Sequence, residues 1–440
     1  MQHCNNNNNS IDRVMMQQHC DNNKKESDNE QKSMNSTRAD KRITDTFKLS
    51  IGILGSGLIG KEFVLQLCDD VLEKKCEIVF IADSRKEIRF KEPFRPSEHA
   101  RELLETMFDG TNDLAIWAKN LYEGLGLELD IVKCATKKER QSIVLQDLEE
   151  FKNKSAAYCL IDLTASEEVA DMYHVFLALG IHVVSANKKV NSGDSARDQK
   201  CRGLSSSSWS TAHWLYEATI GAGLPIISTI RNFSASGDEI FEIKGVLSGT
   251  MSYLFNTYDG TKPFSEVVKQ AKDLGFTEPD AREDLNGKDV ARKVVIAARE
   301  AGWLDATIEK TMIESLVPES LRSCKKEEFE EKFASEVDEQ ILQRFTEAKE
   351  RGNVLRFCGS ANLKTKELKV ELMEFPKAHA FASLSGSQNV IEIESSRYNA
   401  RVSSTLTISG PGAGSRVTAG GVLSDVAKLI ALLGDVEVLI

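Results

Sequence analysis

Residues 47–70 read FKLSIGILGSGLIGKEFVLQLCDD. Leu49, Ile51 and Ile53 alternate with small residues, the period-two pattern of a strand. Gly55-Ser56-Gly57-Leu58-Ile59-Gly60 follows, and a helical pattern then runs to about Lys74. A GxGxxG carries weight only when it joins a strand to a helix, as it does here. The first glycine permits the tight turn, the second lets a pyrophosphate approach the backbone, and the third lets helix pack on strand. The phosphates of a dinucleotide would rest on the N–H groups at the positive end of that helix. A tight structural turn without a ligand is the plainer alternative.

The chain continues with CEIVFIADS, a second strand that completes a βαβ unit. At its end, Asp83 suits a ribose 2′-hydroxyl and so NAD, whereas Ser84, Arg85 and Lys86 suit a 2′-phosphate and so NADP. Dual or NADP use is the expectation. Two further buried strands, AAYCLIDLTAS and GIHVVSANKK, are separated by a helix through EVADMYHVFLAL. Alternation of this kind predicts a mostly parallel, doubly wound sheet. Its carboxyl edge, where such folds hold ligands, receives Thr164 from DLTAS and Lys188 and Lys189 from SANKK. Both lysines also fit as solvated loop residues.

Bulk properties set the limits. A chain of 440 residues with 41% hydrophobic content has the length for two or three domains and the composition for a buried core. A net charge of −11 makes nucleic acid an unsuitable partner. The nine cysteines are scattered, with no CxxC and no Cys/His cluster, so neither zinc nor a disulfide framework is indicated. Several lie in apolar runs, which reads as buried free thiols in a reducing compartment, the cytoplasm. No apolar run approaches the ~20 residues of a membrane span. Residues 1–46, with their run of asparagines, are too polar to bury a core and read as a disordered tail with no secretory signal. Residues 93–126 read as a polar, helical insertion.

Past a serine-rich break at 205–214, EATIGAGLPII places Glu217 before a glycine turn. One carboxylate with inward-facing carbonyls suits a hard monovalent cation, and a tight crossing turn is the alternative. Helices dominate 263–351. A β-rich tract and a closing amphipathic helix, RVTAGGVLSDVAKLIALL, follow. Residues 275–300, GFTEPDAREDLNGKDVARKVVIAARE, crowd carboxylates before a helix that carries Asp289 and Lys293 at i,i+4. Acids favour a helix N-terminus, and Asp284 or Asn286 can cap it, but that accounts for one or two carboxylates only. A surface salt bridge worth at most about 0.5 kcal/mol is the alternative for Asp289 and Lys293. His174 and His182 fall in a helix and a strand rather than a cleft loop, and 203–323 contains no cysteine. Lysines and carboxylates remain as the proton-handling groups beside a nicotinamide.

Together GxGxxG, NKK, EATIGAGLPI, LSGTMSYLFN and GFTEPDAREDLNGKDVARK resemble the homoserine dehydrogenase family, over roughly 49–434, in its monofunctional, fungal-like form. The resemblance implies NAD(P)-dependent interconversion of L-homoserine and L-aspartate 4-semialdehyde, in threonine, methionine and isoleucine biosynthesis. It makes Lys293 the catalytic lysine and Lys188 a second lysine beside the nicotinamide. Glu278 and Asp289 match substrate-holding carboxylates, and Gly249 and Thr250 a turn near the substrate. Glu217 with the carbonyls of Ile220, Ala222 and Leu224 matches a sodium-type cation site. Gly410, Gly412 and Gly414 match a second glycine turn near the cofactor. A homodimer is implied as well. Ala281 stands where the family signature carries proline, and Phe276 where some relatives carry tyrosine.

The fold expected is α/β, a Rossmann-type doubly wound parallel sheet plus an α+β catalytic and dimerisation domain. Residues 47–215 with 413–440 would bind the dinucleotide, 216–225 with 352–412 would dimerise, and 226–351 would hold the substrate. Homoserine is a zwitterion, so its ammonium needs carboxylates, while the alkoxide developing during reduction needs a proton and positive charge. The rival readings are a non-catalytic NADP(H)-binding sensor and a reductase of another amino-acid semialdehyde.

Overall fold

In a computed structural model the described residues are 48–68, 72, 74–83, 86–95, 129–133, 157–206, 212–402 and 404–433. The Asn-rich head, Ser84, Arg85 and most of the expected 93–126 insertion lie outside them.

Strand β1 (Leu49–Leu54) is buried along its whole length, as befits the middle of a sheet covered on both faces. It pairs in parallel with β2 (Cys76–Ala82) on one side and β5 (Ala157–Asp162) on the other. β6 (His182–Ser185) and β7 (Trp214–Leu215) extend the parallel set beyond β5. β3 (Lys86–Phe94) and β4 (Leu129–Lys133) add an antiparallel flank, giving the order β4-β3-β2-β1-β5-β6-β7. The direction of winding reverses between β1 and β5, so the crevice for a ligand opens beyond the carboxyl ends of those two strands. β3 runs into the first two residues of the expected 93–126 insertion, and its sequence, KEIRFKEPF, alternates poorly and is dense in charge.

Helices connect these strands: α1 (Leu58–Leu67), α2 (Glu167–Asp171), α3 (Tyr173–Ala178), α4 (Lys189–Ser192) and α5 (Ser195–Ser206). Then come α6 (Ile226–Ala235), β8 (Ile240–Val246), α7 (Gly249–Thr257), α8 (Phe264–Asp273), α9 (Arg282–Leu285) and α10 (Lys288–Glu300). β9 (Thr311–Ile313), the long α11 (Lys326–Glu350), β10 (Asn353–Asn362), β11 (Glu367–Pro376), β12 (Gln388–Ser395), β13 (Leu406–Pro411) and α12 (Ser415–Leu432) complete the chain. The second sheet has the order β13-β12-β8-β10-β11-β9 and is antiparallel except at β9. This is the α/β plus α+β architecture expected of the sequence.

Helix α10 is the pivot. Val290, Val294, Val295 and Ala298 are buried. Gly359 of β10 lets the helix approach, since a Cβ there would stand 2.4 Å from Val294. At the other end of the chain, α12 packs along α1, with Gln66 Nε2 donating to the Arg416 carbonyl at 2.9 Å. Among the described residues no helix is long and apolar enough to cross a membrane.

Candidate active site

Gly55 leaves β1 with φ +104° and donates its N–H to the Ala82 carbonyl at 2.8 Å, tying the turn to the end of β2. That left-handed φ suits glycine. A Cβ on Gly60 would lie 2.1 Å from the Gly55 oxygen, so the turn closes only with glycine there. Gly57 differs. It is the α1 N-cap, with φ −70°, and none of the described residues comes within 4 Å of where its Cβ would be. The described residues make no demand for glycine at 57, whereas an approaching ligand would. Ser56 is buried, while Ile59 is half-buried and Leu58 exposed on the helix's first turn. Asp83 sits half-buried just past β2, where a ribose would be read, and Arg85 lies outside the described residues.

Next to this turn, the buried Asp162 carboxylate at the end of β5 organises two loops. It accepts from Thr164 N–H at 2.8 Å, Tyr173 O–H at 2.6 Å and Asn187 Nδ2 at 2.9 Å. Burial raises its pKa and those hydrogen bonds oppose the rise. Asn187 also donates to the Ser166 carbonyl at 3.0 Å, and its own Oδ1 accepts from Lys189 N–H at 3.0 Å. Lys188, the N-cap of α4, is thereby held at the carboxyl edge.

Across from it stands α10. Lys293 is 9% exposed, and its Nζ donates to the Leu247 carbonyl at 2.6 Å and to Asp289 Oδ2 at 2.8 Å. The other oxygen of Asp289 lies 3.4 Å from Lys188 Nζ. One carboxylate therefore bridges the two lysines. Burial pushes the Asp289 pKa up, but the charges of Lys293 and Lys188 outweigh it and hold the carboxyl well below its ordinary range. For Lys188 the attraction of Asp289 raises the pKa, yet burial and the like charge of Lys293 leave it lowered overall.

Leu247 leads directly into the Ser248-Gly249-Thr250 turn, where Ser248 Oγ caps α7 by accepting from Met251 N–H. Gly249 faces Ser387 and Ala413, which brings this turn against the C-terminal glycine segment. Thr250 Oγ1 lies 2.6 Å from the Phe276 carbonyl and 2.8 Å from Asp284 Oδ1. A hydroxyl has one proton to give, so both contacts are hydrogen bonds only when Asp284 carries a proton of its own. Burial, with the charges of Glu278 and Asp289, raises the Asp284 pKa in that direction. Its second oxygen accepts from Glu278 N–H at 2.8 Å, and Glu278 is exposed. Asp284 is thus no cap for α10. That cap is Gly287 at φ +72°, and Asn286 Oδ1 takes the Lys288 N–H at 2.8 Å.

The expected cation set is built differently from its sequence reading. Both carboxylate oxygens of Glu217 are engaged at the start of α6, by Ile227 N–H at 2.7 Å and by Ser228 N–H, and Lys428 adds an ammonium at 2.9 Å. The side chain thereby fits a helix cap and an ion pair better than a cation ligand. Of the main-chain carbonyls expected beside it, that of Leu224 accepts the Ile226 N–H at 2.8 Å and that of Ala222 is packed close to Gly421 of α12. Gly412 lies under the Asn389 side chain, with Gly414 (φ +113°) as the N-cap of α12.

Comparison with known proteins identifies the family. The homoserine dehydrogenase NAD-binding profile matches residues 55–217, and the homoserine dehydrogenase profile matches 225–427. The chain belongs to the homoserine dehydrogenase family. It is 36% identical to the homoserine dehydrogenase of Saccharomyces cerevisiae, over 87% of this chain and 98% of that one. It is 40% identical, over 88% of its length, to the chloroplastic bifunctional aspartokinase/homoserine dehydrogenase 1 of Arabidopsis thaliana, of which it spans 39%. A crystal structure of a Candida auris protein of unknown function superimposes with a TM-score of 0.72 at 32% identity, covering 87% of this chain and 98% of that one.

In this member of the homoserine dehydrogenase family, Asp289 joins Lys188 to Lys293, Lys293 reaches the Leu247 carbonyl ahead of the Gly249-Thr250 turn, and Glu278 is linked to Thr250 through Asp284. Sequence reasoning missed Asp284, Asp162 and Asn187 as organisers. The only sequence signal for Asp284 was its place in an unexplained surplus of acids.

Proposed function

We propose that the protein catalyses the NAD(P)-dependent interconversion of L-homoserine and L-aspartate 4-semialdehyde. The observation that carries this reading is the row Lys188–Asp289–Lys293, set at the carboxyl edge beside the glycine turn. When bound, the nicotinamide cofactor supplies or takes up a hydride, and the open face of Gly57 supports its pyrophosphate there. Asp289 is held ionised, so it offers no proton at neutral pH. Lys293 has three N–H donors and spends two, on Leu247 and Asp289, which leaves one for the substrate oxygen. Lys293 acts as the proton donor to the carbonyl oxygen, with Lys188 stabilising the charge that develops there. Glu278, Asp289 and the Thr250 turn supply acceptors for the substrate's ammonium and hydroxyl.

A monovalent cation, if one is held, rests on the carbonyls near 220–224 rather than on the Glu217 carboxylate. A homodimer is supported by β13, which ends the second sheet with one unpaired edge among the described residues. The described cysteines are free, and all but Cys324 are buried, as suits a cytoplasmic protein. The division into dinucleotide-binding, dimerisation and substrate domains is proposed with the boundaries given above.

The deciding experiment is oxidation of NADPH, with NADH in parallel, by purified protein and L-aspartate 4-semialdehyde. Turnover supports the dehydrogenase. Silence, with NADPH still binding by fluorescence, moves the sensor reading to the front. Turnover only with another amino-acid semialdehyde favours the second rival.

A further inference from the structure

Arg299 is 1% exposed and takes no part in the chemistry derived above. Its guanidinium donates Nη1–H to the Asn191 carbonyl at 3.1 Å, Nη2–H to the Gly193 carbonyl at 2.7 Å and Nε–H to the Ala306 carbonyl at 2.9 Å. The carbonyls at 191 and 193 close the single turn α4, whose N-cap is Lys188. The other end of the lever is α10 itself, where Lys293 and Asp289 stand less than three turns before Arg299. One planar fork therefore joins the helix that presents one lysine to the helix that presents the other.

The join is short and stiff. Within α4, Ser192 Oγ–H and N–H both donate to the Lys188 carbonyl, at 2.6 and 3.0 Å, so a shift at 191–193 is passed to Lys188. Asp198 steadies the guanidinium from α5 at 3.9 Å. Next along α10, Glu300 receives Tyr216 O–H at 2.6 Å, Arg202 Nη1 at 3.0 Å and Arg231 Nε at 2.5 Å. These fix that end of the helix to Tyr216, just past β7, and to α5 and α6. Three carbonyls held at once by Nε, Nη1 and Nη2 need the rigid fork of arginine, which a lysine ammonium does not reproduce.

We infer that Arg299 is a positioning residue for the reaction, setting the separation of Lys188 from the Asp289–Lys293 pair by clamping α4 to α10. This rests on the dehydrogenase reading above. The clamp keeps Lys188 within reach of Asp289 and of the same substrate oxygen as Lys293, a geometry in which a displacement of 1 Å costs about 100-fold in rate.

The test uses full-length protein with Arg299→Lys, alone and combined with Lys188→Ala, and follows kcat, KM, NADPH affinity and Tm. Phe333→Leu, a core truncation in α11, serves as a control for lost stability. Arg299→Lys should lower kcat about tenfold or more with NADPH affinity little changed, and should add almost nothing in the Lys188→Ala background, because what it positions is gone. Phe333→Leu should lower Tm without lowering kcat. A wild-type kcat in Arg299→Lys, an equal loss in both backgrounds, or an equal loss in Phe333→Leu at matched Tm would each overturn the inference. Should Arg299→Lys not fold, Asp198→Asn loosens the same clamp. A smaller loss with the same dependence on Lys188 supports the inference, and no loss overturns it. An inactive wild type would instead count against the dehydrogenase reading.

Discussion

Lys293 Nζ stands 2.8 Å from Asp289 Oδ2, one helical turn away. In an exposed helix that i,i+4 pair would contribute about 0.3–0.5 kcal/mol and mean little. Here the lysine is buried, is tethered to Leu247 and shares its carboxylate with Lys188, so the pair is part of a charge row rather than a surface ornament.

Removal of the donor follows directly. Lys293→Ala should cut turnover by at least about 100-fold while NADPH binding stays near normal, the usual scale for a group that transfers a proton. Lys188→Ala should lose less. Comparable turnover in Lys293→Ala would remove that residue from the mechanism, and a larger loss in Lys188→Ala would exchange the two roles.

The Asp289 charge raises the Lys188 pKa against burial and the charge of Lys293. Asp289→Asn removes that support, so the Lys188 ammonium should lose its proton at lower pH than in the wild type. The basic limb of kcat/KM against pH should move toward neutrality in this variant. An unshifted or alkaline-shifted limb would show that Lys188 does not govern it.

The glycine turn makes opposite predictions for two neighbours. Gly57→Val puts its side chain into space the described residues leave open, so the protein should fold with little change in Tm yet lose NADPH affinity by at least about 100-fold, near 2.7 kcal/mol. Gly60→Ala drives a methyl onto the Gly55 oxygen and should cost stability first, about 1–3 kcal/mol. Thermal melts with and without NADPH separate the two effects.

Glu217 bears on salt dependence. If the carbonyls near 220–224 hold an ion, activity should rise with NaCl or KCl relative to choline chloride at equal ionic strength. Lys428→Met, which removes the ammonium from Glu217 Oε2 but leaves the Ser228 N–H on it, should leave that preference unchanged. A response identical across the three salts would dispose of a bound cation.

What the sequence revealed and what it hid divides by range. The β1–turn–α1 unit was legible because alternation, glycines and helical spacing are local signals within 47–70. Strand β3 was not, because KEIRFKEPF has the charge density of a loop and is a strand by virtue of its partners β2 and β4. The charges of α10 were visible, but nothing local distinguishes a buried lysine with a distant partner in Lys188 from a solvated i,i+4 pair. Asp284 was assigned a capping role because its real partner, Thr250, lies in another helix.

That contact also gives a pH dependence with a definite sign. Burial, Glu278 and Asp289 raise the Asp284 pKa in the folded state above its unfolded value of about 3.9. Such a group contributes stability that is fully present below the unfolded pKa and is lost as pH rises through the folded one. Asp284→Asn mimics the protonated acid: its amide N–H can donate to Thr250 Oγ1 while its carbonyl accepts from Glu278 N–H, and it does not titrate. The Tm of Asp284→Asn minus that of the wild type should therefore grow in favour of the variant as pH is raised from about 4 through neutrality. Differential scanning fluorimetry in a pH series measures this. A difference that is flat or falls with pH would mean that Asp284 is ionised in the folded protein throughout, and that Thr250 gives its proton to only one of the two oxygens.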